Sequence, residues 1–388
     1  MTLLTIGRAV LGIVGVLVAG ALTVVVLGSF LPRVPVVGFL GSFVSGQYPL
    51  HAALVALAGV GMGAGLLALG AGRTGVVVTT VAALAVVGTV TVLGAQRSTA
   101  RAEGVTVDWG LALTALDQSG AAPDATVTYQ PGLDLGVYLP PGPGPHPVMV
   151  WVFGGSWVRG TNADRARANR WYADHGLAVV AVQYRLPADP ALPGATLGEA
   201  QRHDVARALT WVRGPGTAYG LDPGAVLLGG QSAGATLALS TAAALSGVPG
   251  SALPGGPTTA PPVATVAFYP VIDMRQIAPN LQQAVFGGPT AQHQRLTRAA
   301  SPGDLVGPRL PPTLLVLGRA DNFIRADLVR AFDTELRAAG VSGRLLQVPY
   351  ADHVFDHPYG SPGAQTARPA VLAFAREHAR SDVDPSGR

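Results

Sequence analysis

The chain contains no cysteine and no lysine, and it carries little charge. Without cysteine, disulfides, thiolate nucleophiles and cysteine metal sites are excluded. Charged residues make up 12% of the 388 residues, which is about half the usual share of a soluble globular chain. The net charge is +4, but the arginines are scattered and form no basic cluster interleaved with aromatic residues. The composition therefore argues against a nucleic-acid partner.

The shortage of charge is concentrated in the first hundred residues, where no acidic residue precedes Glu103. The only charged side chains before it are arginines: Arg8, Arg33, Arg73, Arg97 and Arg101. Three apolar runs, 9–32, 50–71 and 75–96, are each long enough to cross a bilayer as a helix. We therefore expect residues 1–100 to form a transmembrane region of about three α-helices, with the lipid bilayer as partner.

The segment 34–47, "VPVVGFLGSFVSGQ", is apolar but interrupted by Pro35 and several glycines. It is predicted to be an interfacial loop, with a re-entrant segment as the alternative. A cleaved signal peptide fits the first run less well, because that run exceeds a signal core and two more follow. Three spans place the chain ends on opposite sides of the membrane. With the N-terminus inside, Arg8 and Arg73 are cytoplasmic and Arg33, Arg97 and Arg101 are outside, so the positive-inside rule is close to balanced or slightly against this orientation. The expectation is nevertheless an integral protein of the cell membrane with an extracytoplasmic C-terminal domain.

Residues 101–388 have the composition of a globular domain, in which β-branched runs alternate with helical patterns. Strands are predicted at 147–155, 177–185, 225–230, 263–273, 312–321 and 343–353. Helices are predicted at 162–176, 196–213, 233–247, 325–340 and 368–381. This alternation predicts a mostly parallel sheet covered by helices on both faces. Reactive residues are then expected at the carboxyl ends of the strands.

One such end carries the sequence Gly230-Gln231-Ser232-Ala233-Gly234, which matches G-x-S-x-G between a predicted strand and a predicted helix. Glycines at both flanks permit a tight turn that exposes the serine side chain. The helix that follows directs its first N–H groups toward whatever reacts there. Ser232 is therefore the candidate nucleophile, and a structural serine in a glycine-rich loop is the alternative.

A nucleophilic serine needs a base, and the base needs an acid that orients it. Asp321 ends the strand "TLLVLGRAD", and His353 follows the strand "LLQVPYAD". The reserve candidates are His357 as base and Asp327 as acid. Asp352 cannot easily orient the neighbouring His353, because adjacent side chains point apart. Two further candidates are assigned structural positions: His203 in a helix and Asp273 as a loop cap.

The reaction also needs hydrogen-bond donors for an oxyanion. The segment "VFGGSW", 152–157, follows the first buried strand of the domain. Gly154 and Gly155 allow backbone N–H groups to turn inward, and the N–H of Ala233 would complete the oxyanion hole.

Taken together, residues 126–380 resemble the α/β-hydrolase esterases and lipases, especially the branch related to hormone-sensitive lipase and bacterial carboxylesterases. The matching pieces occur in the family's order: "VFGGSW", the block that begins "VQYRLPADP", "GGQSAGA", "FYPVID", "PPTLLVLGRAD" and "PYADHVFD". The resemblance implies that Arg185 and Asp204 brace the loops under the site. Two positions depart from the family pattern, because Phe153 replaces a histidine and Ser156 replaces a glycine. The family's N-terminal cap is missing, and 273–302 is the expected lid.

The resemblance implies an α/β-hydrolase fold and two-step ester hydrolysis through Ser232, His353 and Asp321. It implies no metal and no organic cofactor, and a small-molecule or lipid ester as substrate. An amidase or peptidase on the same fold is one alternative, and an inactive, membrane-tethered binding module is another. A transporter fits least, because 9–32 and 75–96 contain no charge.

Overall fold

The computed structural model describes residues 3–189 and 195–379, and the chain divides into two compact units. Unit 1 comprises Met1–Asp117, Gly318–Phe323 and Gln347–Ala367. Unit 2 comprises Gln118–Leu317, Ile324–Leu346 and Arg368–Arg388. The predicted division into domains 1–100 and 101–388 stays a prediction.

The N-terminal part of unit 1 is helical. Its helices are α1 (Leu3–Phe30), α2 (Val37–Gln47), α3 (Pro49–Ala68), α4 (Gly72–Ala102) and α5 (Trp109–Thr114). Three of them, α1, α3 and α4, are long and apolar enough to cross a membrane. This confirms the three predicted apolar helices. α4 continues past the predicted end at residue 96, since nothing interrupts the helix until Gly104, whose φ is +71°.

The prediction of a loop at 34–47 is wrong, because residues 37–47 form the helix α2. The glycines that suggested a loop are instead points of close helix contact. A Cβ added to Gly41 would lie 2.2 Å from the carbonyl carbon of Gly28 in α1, and one on Gly38 would lie 2.3 Å from the oxygen of Pro32. Small residues let two helix backbones approach closely, so glycine serves packing here.

Unit 2 is built on a sheet, and the order of its strands is β1-β2-β4-β3-β5-β6-β7-β8. The strands are β1 (Ala125–Gln130), β2 (Leu133–Tyr138), β3 (His146–Val152), β4 (Ala178–Val182), β5 (Leu221–Gln231), β6 (Ala264–Phe268), β7 (Thr313–Gly318) and β8 (Gly343–Val348). β3 pairs in parallel with β4 and β5, β5 with β6, and β6 with β7. β2 pairs antiparallel with β1 and β4. The predicted mostly parallel α/β sheet is confirmed.

Several strands end earlier than predicted. β6 ends at Phe268 and β8 at Val348, although the patterns extended to residues 273 and 353. Tyr269 and Tyr350 have φ values of +39° and +58°, a conformation that no strand accommodates. The chain therefore turns away at the carboxyl ends, where the candidate site residues were expected.

Helices connect the strands. They are α6 (Ala166–Asp174), α7 (Leu197–Arg213), α8 (Ala233–Leu245), α9 (Pro279–Phe286), α10 (Gln294–Ala300), α11 (Ala326–Ala338) and α12 (Pro362–His378). Short 3-10 segments occupy Pro215–Tyr219, Met274–Gln276, Thr290–Gln292 and Pro302–Leu305. α12 begins six residues before the predicted 368 and continues through Pro369, and residues 380–381 of that predicted helix lie outside the described residues. The role of 273–302 as a lid stays a prediction.

The central strands could be predicted from the sequence because their side chains are buried on both faces of the sheet. Val150 in β3, Val180 in β4 and Leu228 in β5 are fully buried. Parallel strands covered on both faces bury every side chain, so they appear as continuous apolar runs. This core supports the loops that follow β3 and β5.

Candidate active site

Ser232 occupies the turn between β5 and α8, where it has φ +52° and ψ −122°. A positive φ is strained for any residue with a Cβ, and strain of this kind is concentrated at functional sites. The Ser232 N–H donates to the carbonyl of Phe268 at 2.9 Å, which secures the turn against β6. The strand, turn and helix expected around this serine are all present.

The two glycines of the pentapeptide are required by close backbone contacts. A Cβ on Gly230 would lie 2.5 Å from the backbone of Gly234, and one on Gly234 would lie 2.2 Å from the carbonyl oxygens of Val152 and Phe153. No real side chain tolerates such distances. The same contacts bring the end of β3 against the start of α8.

The loop after β3 places Gly154 beside the serine. A Cβ added to Gly154 would lie 3.2 Å from the Cβ of Ser232. Gly155 has φ +111°, and Ser156 and Trp157 follow with φ values of +56° and +65°. Three successive residues with positive φ form a tight backbone turn, which begins at one proposed oxyanion donor, Gly155, and directly follows another, Gly154.

Phe153 supports that loop by stacking. Its ring lies 4.1 Å from the ring of Tyr184 at an interplanar angle of 11°. The Tyr184 hydroxyl donates toward the carbonyls of Phe153 at 3.1 Å and Gly154 at 3.4 Å. Both aromatic side chains are buried. An aromatic stack and a tyrosine hydroxyl therefore hold the loop where the family uses a histidine.

A buried ion pair lies below this loop. The Arg185 guanidinium donates to Asp204 through Nε at 2.7 Å and Nη2 at 2.6 Å. Gln201 joins the loops, because its Nε2 donates to the carbonyls of Trp157 at 2.7 Å and Arg185 at 2.9 Å. The arginine and the aspartate therefore hold loop structure, as the resemblance implied.

A buried arginine also lies next to the nucleophile turn. The Arg165 guanidinium donates to Gln231 Oε1 at 3.0 Å, one residue before Ser232. It also lies 5.0 Å from the ring centre of Trp151 and 5.2 Å from that of Phe268. Such cation–π contacts stabilise a desolvated arginine, so Arg165 helps hold the end of β5.

In unit 1, Asp321 and His353 are hydrogen-bonded. Asp321 Oδ2 lies 2.9 Å from His353 Nδ1. The carboxylate side chain is fully buried, and the imidazole is 10% exposed. A carboxylate on Nδ1 orients the imidazole so that Nε2 is the ring nitrogen that can act as the base. The structure thus brings together the two residues that the sequence selected as acid and base.

The two reserve candidates, His357 and Asp327, and the two residues assigned structural positions, His203 and Asp273, lie in other environments. His357 is exposed, and burial lowers the pKa of His203 within α7. Asp327 pairs with Arg325, and the hydrogen-bonded guanidinium lowers the pKa of the Asp327 carboxyl to about 2. The Asp273 carboxylate accepts from the N–H of Arg275 at 3.0 Å and caps a 3-10 turn, in line with the predicted loop cap.

Sequence reasoning missed the polar residues that surround the acid–base pair. Asp352, Asn322 and Ser42 form a hydrogen-bonded group beside it. The sequence signals were weak: two serines in the apolar segment 34–47, and an aspartate directly before His353. Phe323 was also missed, although it is 68% exposed and its ring lies 5.4 Å from the His353 ring.

Within residues 3–189 and 195–379, histidine, aspartate and glutamate form no group of three or more that could hold a metal ion.

Several known proteins are similar in sequence to the part of the chain that carries these residues. Residues 135–336 match the BD-FAE family. The probable carboxylic ester hydrolase LipM of Mycobacterium tuberculosis is 28% identical over 282 residues, which are 69% of this chain and 62% of LipM. Esterase LipQ of the same organism is 30% identical over 220 residues, which are 54% of this chain and 50% of LipQ. The chain therefore spans about half to three-fifths of the length of these curated relatives.

A solved structure is similar in fold. The apo form of Thermogutta terrifontis esterase 2 superposes with a TM-score of 0.54 at 25% identity, covering 67% of this chain and 94% of that protein. The similarity confirms the α/β-hydrolase fold expected from the sequence.

Proposed function

Because the chain belongs to the BD-FAE family, we propose that it is a serine hydrolase of carboxylic esters. Ser232 is the nucleophile, His353 the general base and Asp321 the residue that orients it. The observation that carries the proposal is the strained conformation of Ser232 at the turn from β5 to α8. Ser232 is half-buried at this turn, and a strained strand-to-helix turn is the setting in which α/β-hydrolases hold their nucleophilic serine.

The reaction proceeds in two steps. The Oγ of Ser232 attacks the ester carbonyl carbon while His353 Nε2 takes its proton, and the carbonyl oxygen becomes an oxyanion. His353 then gives that proton to the leaving alcohol, and an acyl-enzyme remains. A water molecule attacks the acyl-enzyme while His353 takes its proton; the bond between the acyl carbon and Ser232 Oγ then breaks, His353 returns the proton to Oγ, and the acid leaves. Asp321 stays ionised and stabilises the imidazolium throughout.

Three backbone N–H groups would hold the oxyanion: those of Gly154, Gly155 and Ala233. The first N–H groups of α8 have no acceptor within the helix, so the N–H of Ala233 is available. The aromatic stack between Phe153 and Tyr184 supports the loop. The replaced histidine and glycine therefore do not by themselves indicate an inactive protein.

The substrate is proposed to be an ester with an apolar chain. Phe323 presents an exposed ring 5.4 Å from the His353 ring and 5.7 Å from the Phe39 ring of α2. An apolar surface beside the base favours an acyl or alcohol chain of low polarity. The three long apolar helices support attachment to the cell membrane, where such esters are concentrated.

With the N-terminus in the cytoplasm, three spans place the residues after α4 on the extracytoplasmic side. The chain lacks cysteine, so a single introduced cysteine reports on its own position. Gly224→Cys lies at the exposed start of β5. A membrane-impermeant maleimide should label it on intact cells, and labelling only after lysis would place the domain in the cytoplasm.

Ester hydrolysis is tested with the full-length protein in detergent and a p-nitrophenyl ester series from acetate to palmitate. Ser232→Ala should reduce activity to background, because no other group replaces the hydroxyl. Ser246→Ala is the matched control at the other end of α8. Its hydroxyl has no hydrogen-bond partner among the described residues, so activity should be unchanged. A folded wild-type protein that cleaves none of these esters, or a Ser232→Ala variant that keeps its activity, would contradict the proposal.

A further inference from the structure

One buried carboxylate connects the turns that carry the acid and the base. Asp352 is 1% exposed. Its Oδ1 accepts from the N–H of His353 at 2.6 Å and from the N–H of Asn322 at 2.8 Å. Asn322 directly follows Asp321 in the chain. Asp352 therefore fixes the backbone next to the acid and the backbone of the base itself.

The other oxygen of this carboxylate is held partly by the N-terminal region. Asp352 Oδ2 lies 2.5 Å from the Oγ of Ser42 and 2.8 Å from the Nδ2 of Asn322. Asn322 Nδ2 also lies 2.9 Å from Ser42 Oγ, which accepts from it. Ser42 belongs to α2 and is fully buried.

The Ser42 hydroxyl has a single proton and three possible acceptors, of which the carbonyl of Phe39 is the most distant at 3.3 Å. The carbonyl of Gly38, one turn earlier in α2, lies 2.8 Å away, and the Asp352 carboxylate lies 2.5 Å away. Hydrogen bonds to an ionised acceptor are shorter and stronger than those to a neutral one. The hydroxyl therefore donates to Asp352, and this hydrogen bond satisfies one acceptor site of the buried carboxylate.

Further contacts hold α2 against the same segment. Gln96 Nε2 of α4 donates to the carbonyl of Ser45 at 2.8 Å and to the carbonyl of Pro349 at 3.2 Å. A Cβ on Gly46 would lie 3.0 Å from the Cα of Ala351. α2 is thus packed tightly on the residues that precede His353, so the position of Ser42 relative to Asp352 is well defined.

We propose that Ser42 is a positioning residue for the reaction: it holds the Asp352 carboxylate, which in turn fixes the turns of Asp321 and His353. The inference rests on the proposed function, because it assumes that these two residues are the acid and the base. The apolar N-terminal region then contributes to the catalytic apparatus in addition to any role as an anchor.

The test compares Ser42→Ala with Ser45→Ala in the full-length protein. Ser45 is a suitable control because it lies on the same helix, is equally buried, and shares its hydrogen bond with Ser29 of α1 at 2.6 Å. Active sites are counted with a fluorophosphonate probe, and kcat, KM and the melting temperature are then measured for each variant.

Ser42→Ala should lower kcat per labelled site by about tenfold, because sub-ångström misplacement of reacting groups is costly. KM should stay within about twofold of wild type, because Ser42 contacts no substrate. Ser45→Ala should keep kcat. Asp352→Asn should lower kcat further, and adding Ser42→Ala to it should cause no additional loss, because residues that act through one contact are not additive.

Unchanged kcat in Ser42→Ala would overturn the inference. Equal losses in Ser42→Ala and Ser45→Ala would also overturn it, because they indicate a general structural role. Additive losses with Asp352→Asn would overturn it as well, because additivity means that the two side chains act independently. Wild-type protein that the probe does not label at Ser232 would overturn the proposed function and this inference together. Labelling at Ser232 with unchanged kcat in Ser42→Ala would overturn this inference alone.

Discussion

Replacing Gly154 by alanine would shift the backbone that carries a proposed oxyanion donor. The added Cβ would lie 3.0 Å from the carbonyl oxygen of Gln231 and 3.2 Å from the Cβ of Ser232, whereas ordinary contacts lie at 3.4–4 Å. Relief of these contacts requires a movement of a few tenths of an ångström. Either the loop moves away from the nucleophile or the serine turn moves away from the loop.

Loss of a whole oxyanion donor costs about 10²- to 10³-fold in kcat. The displacement in Gly154→Ala weakens the donor without removing it. We therefore expect kcat to fall by about 10- to 100-fold, which corresponds to about 1.4 to 2.8 kcal/mol of transition-state stabilisation. KM should change little, since the oxyanion forms after the substrate binds.

The assay is the steady-state hydrolysis of p-nitrophenyl butyrate, with active sites counted by a fluorophosphonate. Gly136→Ala in β2 is the control, because a Cβ there would meet its nearest neighbours at 3.6 Å. It should leave kcat unchanged. A kcat of Gly154→Ala within twofold of wild type, or an equal loss in Gly136→Ala, would refute the reasoning about the oxyanion loop.

Three further predictions follow from individual contacts. Asp321→Asn should lower kcat by about 10³- to 10⁴-fold, because the imidazole loses its orienting carboxylate. The control Asp327→Asn should keep the kcat of wild type, and equal kcat values for the two variants would contradict the assignment of Asp321 as the acid. Phe323→Ala should raise KM for palmitate and butyrate esters by about three- to tenfold through lost apolar contact, and it should leave KM for the acetate ester unchanged. An equal change in KM along the whole series would contradict the proposal that the apolar surface around Phe323 binds the substrate chain. Asp204→Ala should lower the free energy of unfolding by about 3 to 5 kcal/mol, because it leaves the buried Arg185 charge without its carboxylate. Urea unfolding of the full-length protein measures this loss, and an unfolding midpoint equal to that of wild type would contradict it.

The nucleophile region could be predicted from sequence because its signals are local. Gly230 and Gly234 lie within four residues of each other, and an apolar strand and a helical pattern flank them. Their contacts across the turn depend on that short segment and on the end of β3. The strand patterns likewise placed Asp321 and His353 at the carboxyl ends of two successive strands, where reactive residues are expected, although β7 and β8 end at Gly318 and Val348.

The support around the acid and base could not be predicted in this way. Ser42 and Asp352 are separated by 310 residues, and neither lies in a pattern that indicates a partner. The glycines of α2 were read as breaks, since a glycine that permits close packing and one that ends a helix look alike in sequence. The stack of Phe153 on Tyr184 could not be predicted either, because the two residues are distant in sequence and only the fold brings their rings together.

Whether Ser232 is the nucleophile is tested most directly by mapping a fluorophosphonate adduct on the full-length protein by peptide mass spectrometry. Only an activated serine reacts with this probe. We expect one adduct on the peptide that contains Ser232, at full occupancy in wild type, absent in Ser232→Ala and slower to form in Asp321→Asn. A folded protein that forms no adduct, or an adduct on a different serine, would contradict the assignment of Ser232 as the nucleophile.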